Sequence, residues 1–86
     1  MLTRVLAVEL GGYNVRVNTI APGLTRTELT RPLWSDPEVV KQRVLTTPLG
    51  RLGEVGDIAG AALFFASDAS SHITGEAVFI NGGVLL

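Results

Sequence analysis

The sequence predicts an α/β fold cut from the edge of a larger sheet, on three observations. The apolar pattern changes period along the chain: helical spacing, a β-type run, two more helical stretches, then a second β-type run. Both β-type runs are apolar throughout, as strands buried in a parallel sheet are. Two strands are too few to cover three helices and both of their own faces. The predicted unit is therefore incomplete as a stand-alone domain.

The elements follow in order. Leu2, Val5, Leu6 and Leu10 recur at helical spacing, and Gly11-Gly12 is expected to stop that helix. No cap residue precedes Met1, so the helix is expected to start inside a longer domain. Val15, Val17 and Ile20 mark a buried strand of about six residues, ended by Pro22-Gly23. Residues 24–35 read as irregular. Asp36 then caps a helix, with Pro37 at its first position and Glu38 placed to favour the dipole. Val40 and Val44 share one face of this helix, Lys41 and Arg43 form its wet side, and Pro48 ends it. The stretch "PLGRLGEVG" is a turn-rich connector. A third helix runs from Val55 to Ala66, with Ile58, Ala62 and Phe65 as its apolar stripe. A polar loop from Asp68 to Gly75 leads to the strand Ala77–Ile80, which Asn81-Gly82-Gly83 ends.

Composition sets the outer limits. The chain has 86 residues, 47% hydrophobic and 17% charged, with a net charge of −1. That suits one globular unit and gives no electrostatic reason to seek nucleic acid or an anionic membrane. No apolar run approaches the ~20 residues of a membrane span, and the first helix lacks the basic leader of a signal peptide. With no cysteine and a single histidine, His72, neither disulfides nor a metal site is expected. Absence of cysteine suits a cytoplasmic protein.

Several segments together resemble the C-terminal part of the short-chain dehydrogenase/reductase family. They are "LAVELGGYNVRVNTIAPGLTRTEL" and "PLGRLGEVGDIAGAALFFASDASSHITGEAVFINGG". Each piece is weak, but the order and spacing of all are specific. The resemblance implies the C-terminal edge of a Rossmann-like, doubly wound parallel sheet. Residues 1–86 would be one fragment of a single domain, with residues 29–47 as a substrate lobe. It implies an oxidoreductase using NAD or NADP to interconvert a small-molecule carbonyl and alcohol by hydride transfer. The cofactor-binding residues it implies are Pro22, Gly23, Thr25 and Thr27. The Pro22-Gly23 turn would pass beneath the nicotinamide, the Thr25 backbone would meet the carboxamide, and the Thr27 hydroxyl would lie near carboxamide and pyrophosphate. The terminal strand and Asn81-Gly82-Gly83 would lie at a subunit contact of a homo-oligomer.

Physical chemistry agrees with such a place. Ligands of open α/β sheets sit across the carboxyl ends of the strands. Glycine there permits close backbone approach, and threonine supplies a short hydrogen-bonding group. Simpler roles stand beside these: a strand-ending turn for Pro22-Gly23 and a surface position for Thr27. Trp34 reads as packing the lobe ahead of lining a substrate pocket, Asn18 as a partner for buried backbone groups, His72 as a loop residue, and Arg51 with Asp57 as a structural pair.

The chemistry that the family resemblance calls for is missing from this stretch. Its tyrosine and lysine stand four apart on one helix, the lysine lowering the tyrosine pKa. The only tyrosine here is Tyr13, with Val17 four residues on, and the only lysine is Lys41. No two glycines are two apart, so no G-x-G-x-x-G exists to cradle a pyrophosphate. No catalytic residue is assigned, and the isolated chain is expected to be inactive and to bind the cofactor weakly. Two other readings remain: an interaction module that joins a full-length relative, and a non-functional remnant with an open sheet edge.

Overall fold

The structure, a computed structural model, describes residues 1–84. Its elements are α1 (Leu2–Gly11), β1 (Thr19–Pro22), β2 (Thr25–Arg26), α2 (Arg31–Trp34), α3 (Pro37–Thr46), β3 (Gly53–Glu54), α4 (Val55–Ala66), a 3-10 turn (Asp68–Ser70) and β4 (Ala77–Ile80). β1 pairs with β4 in parallel, from Thr19 opposite Ala77 to Pro22 opposite Ile80. β2 and β3 form a second parallel pair, with Thr25 opposite Gly53 and Arg26 opposite Glu54.

The α/β class and parallel pairing match the prediction, and three helices and the last strand fall where the pattern puts them. Three details differ. α1 ends at Gly11 with Gly12 as its C-cap, where the glycine pair is expected to stop it, but Gly12 keeps an ordinary φ of −64 and the left-handed residue is Asn14, at φ 61. Asparagine tolerates that region. The first strand is shorter and later than predicted, because residues 15–18 are bonded by other means. Residues 24–35 are not wholly irregular, since β2 and α2 lie there.

The segment ahead of β1 is stitched to the loop ahead of β4. The Val17 amide donates to Thr74 Oγ1 at 3.0 Å, and the Gly75 amide to the Val17 carbonyl at 2.7 Å. Asn18 Nδ2 donates to the Ile73 carbonyl at 3.0 Å, and its Oδ1 accepts from the Glu76 amide at 3.1 Å. Asn18 thus satisfies backbone groups, as expected of an amide at the start of a strand. α1 lies over the same loop. A side chain at Gly75, which has φ +76, would come within 3.4 Å of Ala7 Cβ. The hydroxyls of Thr3 and Thr19 are hydrogen-bonded between α1 and β1.

α3 starts as predicted, with Asp36 Oδ1 accepting from the Glu38 amide at 3.0 Å. At α4, Asp57 Oδ2 accepts from the Glu54 amide at 2.8 Å, and Arg51 donates two parallel bonds to Asp57, at 2.9 and 3.0 Å. The Arg51 bonds, then the Glu54 amide, hold the Asp57 carboxyl down to about 2 from an ordinary 3.8. A depressed acid stabilises the folded form above its unfolded pKa and loses that contribution as pH falls through the folded one. An Asp57-dependent loss of stability is therefore expected between about pH 4 and 2. Urea midpoints of wild type and Asp57→Asn across that range check it, because the variant should lack this step.

The described residues enclose very little. The only buried apolar side chains among them are Ala7 and Leu52. Val8 is 83% exposed, Leu63 72% and Phe79 57%. The outer side of α4, with Ala59, Gly60, Ala62 and Leu63, is apolar yet exposed, and Asp57 is the helix's one charge. Its inner side presents Ile58, Ala61 and Phe65, so Ala61 takes the place predicted for Ala62. A helix apolar all round belongs in an interior. The radius of gyration is 15.5 Å, against about 12 Å for a compact chain of this length. The accessible area is 6248 Å², against about 4,900 Å² for a compact monomer of this mass. Among the described residues, no helix is long and apolar enough to cross a membrane.

Candidate functional site

The carboxyl ends of β1 and β4 meet at Gly23 and Asn81. Thr19 and Gly23 donate their amides to the Glu76 and Ile80 carbonyls, at 2.8 and 2.9 Å. Backbone groups alternate along a strand, so those of Ile20 and Pro22 turn to the other edge of β1. Proline has no N–H to place there. Gly23 is required by a close approach: a Cβ on it would lie 3.0 Å from Asn81 Cβ and 3.1 Å from Asn81 Cα. Asn81 closes its own turn, taking the Gly83 amide on Oδ1 and donating Nδ2 to the Val84 carbonyl, each at 3.0 Å.

Beyond this turn the chain forms a knot of threonines. Thr25 is buried, and its hydroxyl donates to the Gly23 carbonyl at 3.2 Å. Thr30, which the sequence reading did not single out, organises the rest. Its hydroxyl donates to the Thr25 carbonyl at 2.6 Å, a far better acceptor position than the Thr27 carbonyl at 3.3 Å. It accepts from the Thr27 amide at 3.1 Å. With its one proton spent on Thr25, the 3.1 Å contact between the Thr30 and Thr27 hydroxyls must have Thr27 donating. Thr27 Oγ1 also accepts from the Thr30 amide at 3.3 Å. This leaves Thr27 Oγ1 one free lone pair and no proton. In this arrangement it presents an acceptor to an N–H of a bound group, and donating to an anion would cost it the bond to Thr30.

Trp34 locks this arrangement from outside. Its Nε1 donates to the Thr27 carbonyl at 2.9 Å, and the guanidinium carbons of Arg26 and Arg31 lie 4.9 and 5.3 Å from its ring centre. That agrees with the packing role read from the sequence. Arg31 is itself paired with Glu28 at 2.6 Å, and Arg26 with Glu54 at 3.5 Å.

A cavity of about 510 Å³ lies between the end of α3, residues 47–53 and the strand ends. Gly23, Leu24, Arg43, Thr47, Asn81 and Gly82 are among its lining residues. Of the four residues singled out from the sequence, Gly23 lines it. Thr25 and Thr27 are joined through Thr30 beside it, and Pro22 is exposed at the end of β1. His72 is exposed, and no cluster of metal-ligating side chains occurs among the described residues. A sequence signal for Thr30 did exist. Thr27 and Thr30 stand three apart just ahead of Arg31-Pro32, the pattern of a hydroxyl turn opening a helix.

Comparison with known proteins matches this geometry to a family. A family model described as enoyl-(acyl carrier protein) reductase matches residues 1–85. The chain is 52% identical over 82 residues to a 3alpha-hydroxysteroid dehydrogenase of Mediterraneibacter gnavus, covering 94% of this chain and 32% of that protein. Its structure is similar to a gluconate 5-dehydrogenase from Burkholderia cenocepacia J2315 in complex with NADP and tartrate. There the TM-score is 0.90 and the identity 38%, over 98% of this chain and 33% of that one. It is also similar to a 4-hydroxyisoleucine dehydrogenase complexed with NADH, with a TM-score of 0.91 and 36% identity, over 95% of this chain and 34% of that one. The chain spans about a third of the length of the relatives it matches. With a match that runs from α1 through β4, it belongs to the short-chain dehydrogenase/reductase family.

Proposed function

We propose that this chain is the C-terminal segment of an NAD(P)-dependent oxidoreductase that interconverts a small-molecule carbonyl and alcohol. The observation that supports this most is the end of the β1–β4 pair. Gly23 and the Thr25–Thr30 knot stand at the carboxyl ends of two parallel strands, where such sheets take ligands. The hydrogen-bond inventory fits a nicotinamide. The free lone pair on Thr27 Oγ1 suits the carboxamide N–H₂, and with its proton engaged by Thr30, Thr27 is assigned to the carboxamide ahead of the pyrophosphate. Pro22 and Gly23 supply a close, side-chain-poor floor, and the Thr25 backbone flanks it. Bound there, the nicotinamide would supply or receive the hydride. This chain's residues hold and orient it, while proton transfer belongs to residues outside this sequence. Residues 29–47 would cover the substrate. A cytoplasmic location suits the absence of cysteine.

The 86-residue chain alone should turn over no ketone or alcohol with NADH, NADPH or their oxidised forms. The same segment, exchanged for the corresponding third of a complete family member, should support turnover followed at the nicotinamide absorbance. Turnover by the isolated chain, or a folded exchange product with none, would defeat the proposal. A second reading, an interaction module for a full-length relative, draws on the exposed apolar side of α4. Co-elution of the chain with such a relative in size-exclusion chromatography would favour it.

A further inference from the structure

We propose that Gly82 positions the lobe of residues 29–47, acting through the methyl group of Thr47; the lobe's role over the substrate rests on the function proposed above. The lobe leaves the strand ends at Thr27 and returns at Thr47. At the return, Pro48 and Gly50 occupy the second and fourth places of a turn closed by the Gly50 amide on the Thr47 carbonyl at 2.8 Å. This turn sits on the end of β4, where the Leu49 amide donates to the Gly82 carbonyl at 3.0 Å.

Gly82 has φ +69, and a Cβ built on it would fall 2.6 Å from Thr47 Cγ2. The Thr47 side chain cannot turn away freely. It is β-branched, and its hydroxyl donates to the Arg43 carbonyl in the last turns of α3. The Thr46 hydroxyl grips the same helix end through the Gln42 carbonyl at 3.0 Å. The missing side chain at Gly82 is therefore a seat for a methyl group rigidly attached to α3. Gly83, at φ +97, gives Pro48 a similar but looser seat, with a built Cβ 3.1 Å from Pro48 Cγ. Through these contacts the end of β4 sets how far α3 stands from the strand ends, and with it the width of the cavity between them.

The chain contains its own control. Gly50 has φ +73, close to that of Gly82, but a Cβ there would meet nothing within 4 Å. Gly50→Ala therefore imposes the left-handed backbone cost alone, whereas Gly82→Ala adds the collision. Thr47→Ser removes Cγ2 and keeps the hydroxyl bonded to Arg43. The test uses the complete enzyme that contains this segment. In Gly82→Ala, amide hydrogen exchange in α3 should rise about tenfold more than in Gly50→Ala, with β4 and α4 little changed. Gly82→Ala/Thr47→Ser should return α3 to the Gly50→Ala level. If Gly82→Ala does not fold, folding restored by Thr47→Ser supports the proposal equally. Equal exchange in the two glycine variants, a uniform rise along the chain, or no rescue by Thr47→Ser overturns it. KM for the substrate is read separately. Faster α3 exchange with an unchanged KM keeps the anchor and rejects the lobe as the substrate's cover.

Discussion

Replacing Arg16 with methionine is expected to lower stability by about 3 kcal/mol, the largest effect of any single side chain in this segment. The Arg16 guanidinium reaches across the fold to the far end of α4. Nη2 donates to the Phe65 carbonyl at 2.8 Å and the Ser67 carbonyl at 3.3 Å. Nη1 donates to the carbonyl and the hydroxyl of Ser70, both at 2.9 Å. The last carbonyls of a helix have no partner within it and form the negative end of its dipole, so a planar cation with several donors suits them. Ser70 is wholly buried, and its hydroxyl also lies 2.8 Å from the Phe64 carbonyl. Methionine keeps most of the apolar stem but removes every charged donor from this helix end; the Ser70 carbonyl retains the Ile73 amide at 2.9 Å and the Ser67 carbonyl the Ser70 amide at 3.3 Å. The cost is then the loss of several charge-assisted bonds at once, with the Phe65 carbonyl left to the Ser70 hydroxyl at 3.0 Å. Lysine keeps the charge but cannot span all three carbonyls, and should recover less than half. Urea midpoints of the complete enzyme containing each variant check this. Amide exchange at the end of α4 should rise first, and a methionine variant as stable as wild type would show that water replaces the guanidinium at little cost.

The same residue shows where the sequence could be read and where it could not. Local signals identified α3 and α4 closely. Asp36-Pro37-Glu38 is a start signal that acts through bonds within a few residues, and Val55–Ala66 is apolar but for Asp57 in its first turn. β4 was legible for a similar reason. In "VRVN", by contrast, the valines suggested a strand, yet Arg16 and Asn18 act on residues more than 45 positions away. They replace the ladder that β-propensity predicts, so β1 begins only at Thr19. β2 and β3 are two residues each, too short for any period, and exist because Thr25 finds Gly53. The prediction that this is the edge of a larger unit came from counting strands against helices. The structure gives it physical form in the exposed apolar side of α4 and in Val78 and Phe79, which are exposed on a strand expected to be buried. At the site, the family resemblance implies a place for Thr27 near both carboxamide and pyrophosphate. The direction of its hydrogen bonds, available only once Thr30 is in place, narrows that to an acceptor.

Thr30→Val tests that narrowing. Valine matches threonine in shape, so the local packing should hold while one donor and two acceptor functions disappear. The Thr25 carbonyl loses a 2.6 Å partner, the Thr27 amide a 3.1 Å partner, and the Thr27 hydroxyl the acceptor for its proton. The expected loss of stability is about 2 kcal/mol, less than for Arg16 because only part of this knot is buried. The effect on binding should be more selective. Freed of Thr30, the Thr27 hydroxyl becomes a donor that can rotate, so it no longer presents a fixed lone pair. KM for the nicotinamide cofactor should then rise several-fold in the complete enzyme, as expected when one oriented hydrogen bond worth about 1 kcal/mol is lost. Thr30→Ser keeps the hydroxyl and should restore both stability and cofactor KM. A purely structural knot predicts otherwise, with stability falling in the valine variant while the cofactor KM of the folded fraction stays at the wild-type value. The two quantities, measured on the same variants, therefore separate a threonine cluster that merely closes a turn from one that fixes an acceptor for a carboxamide.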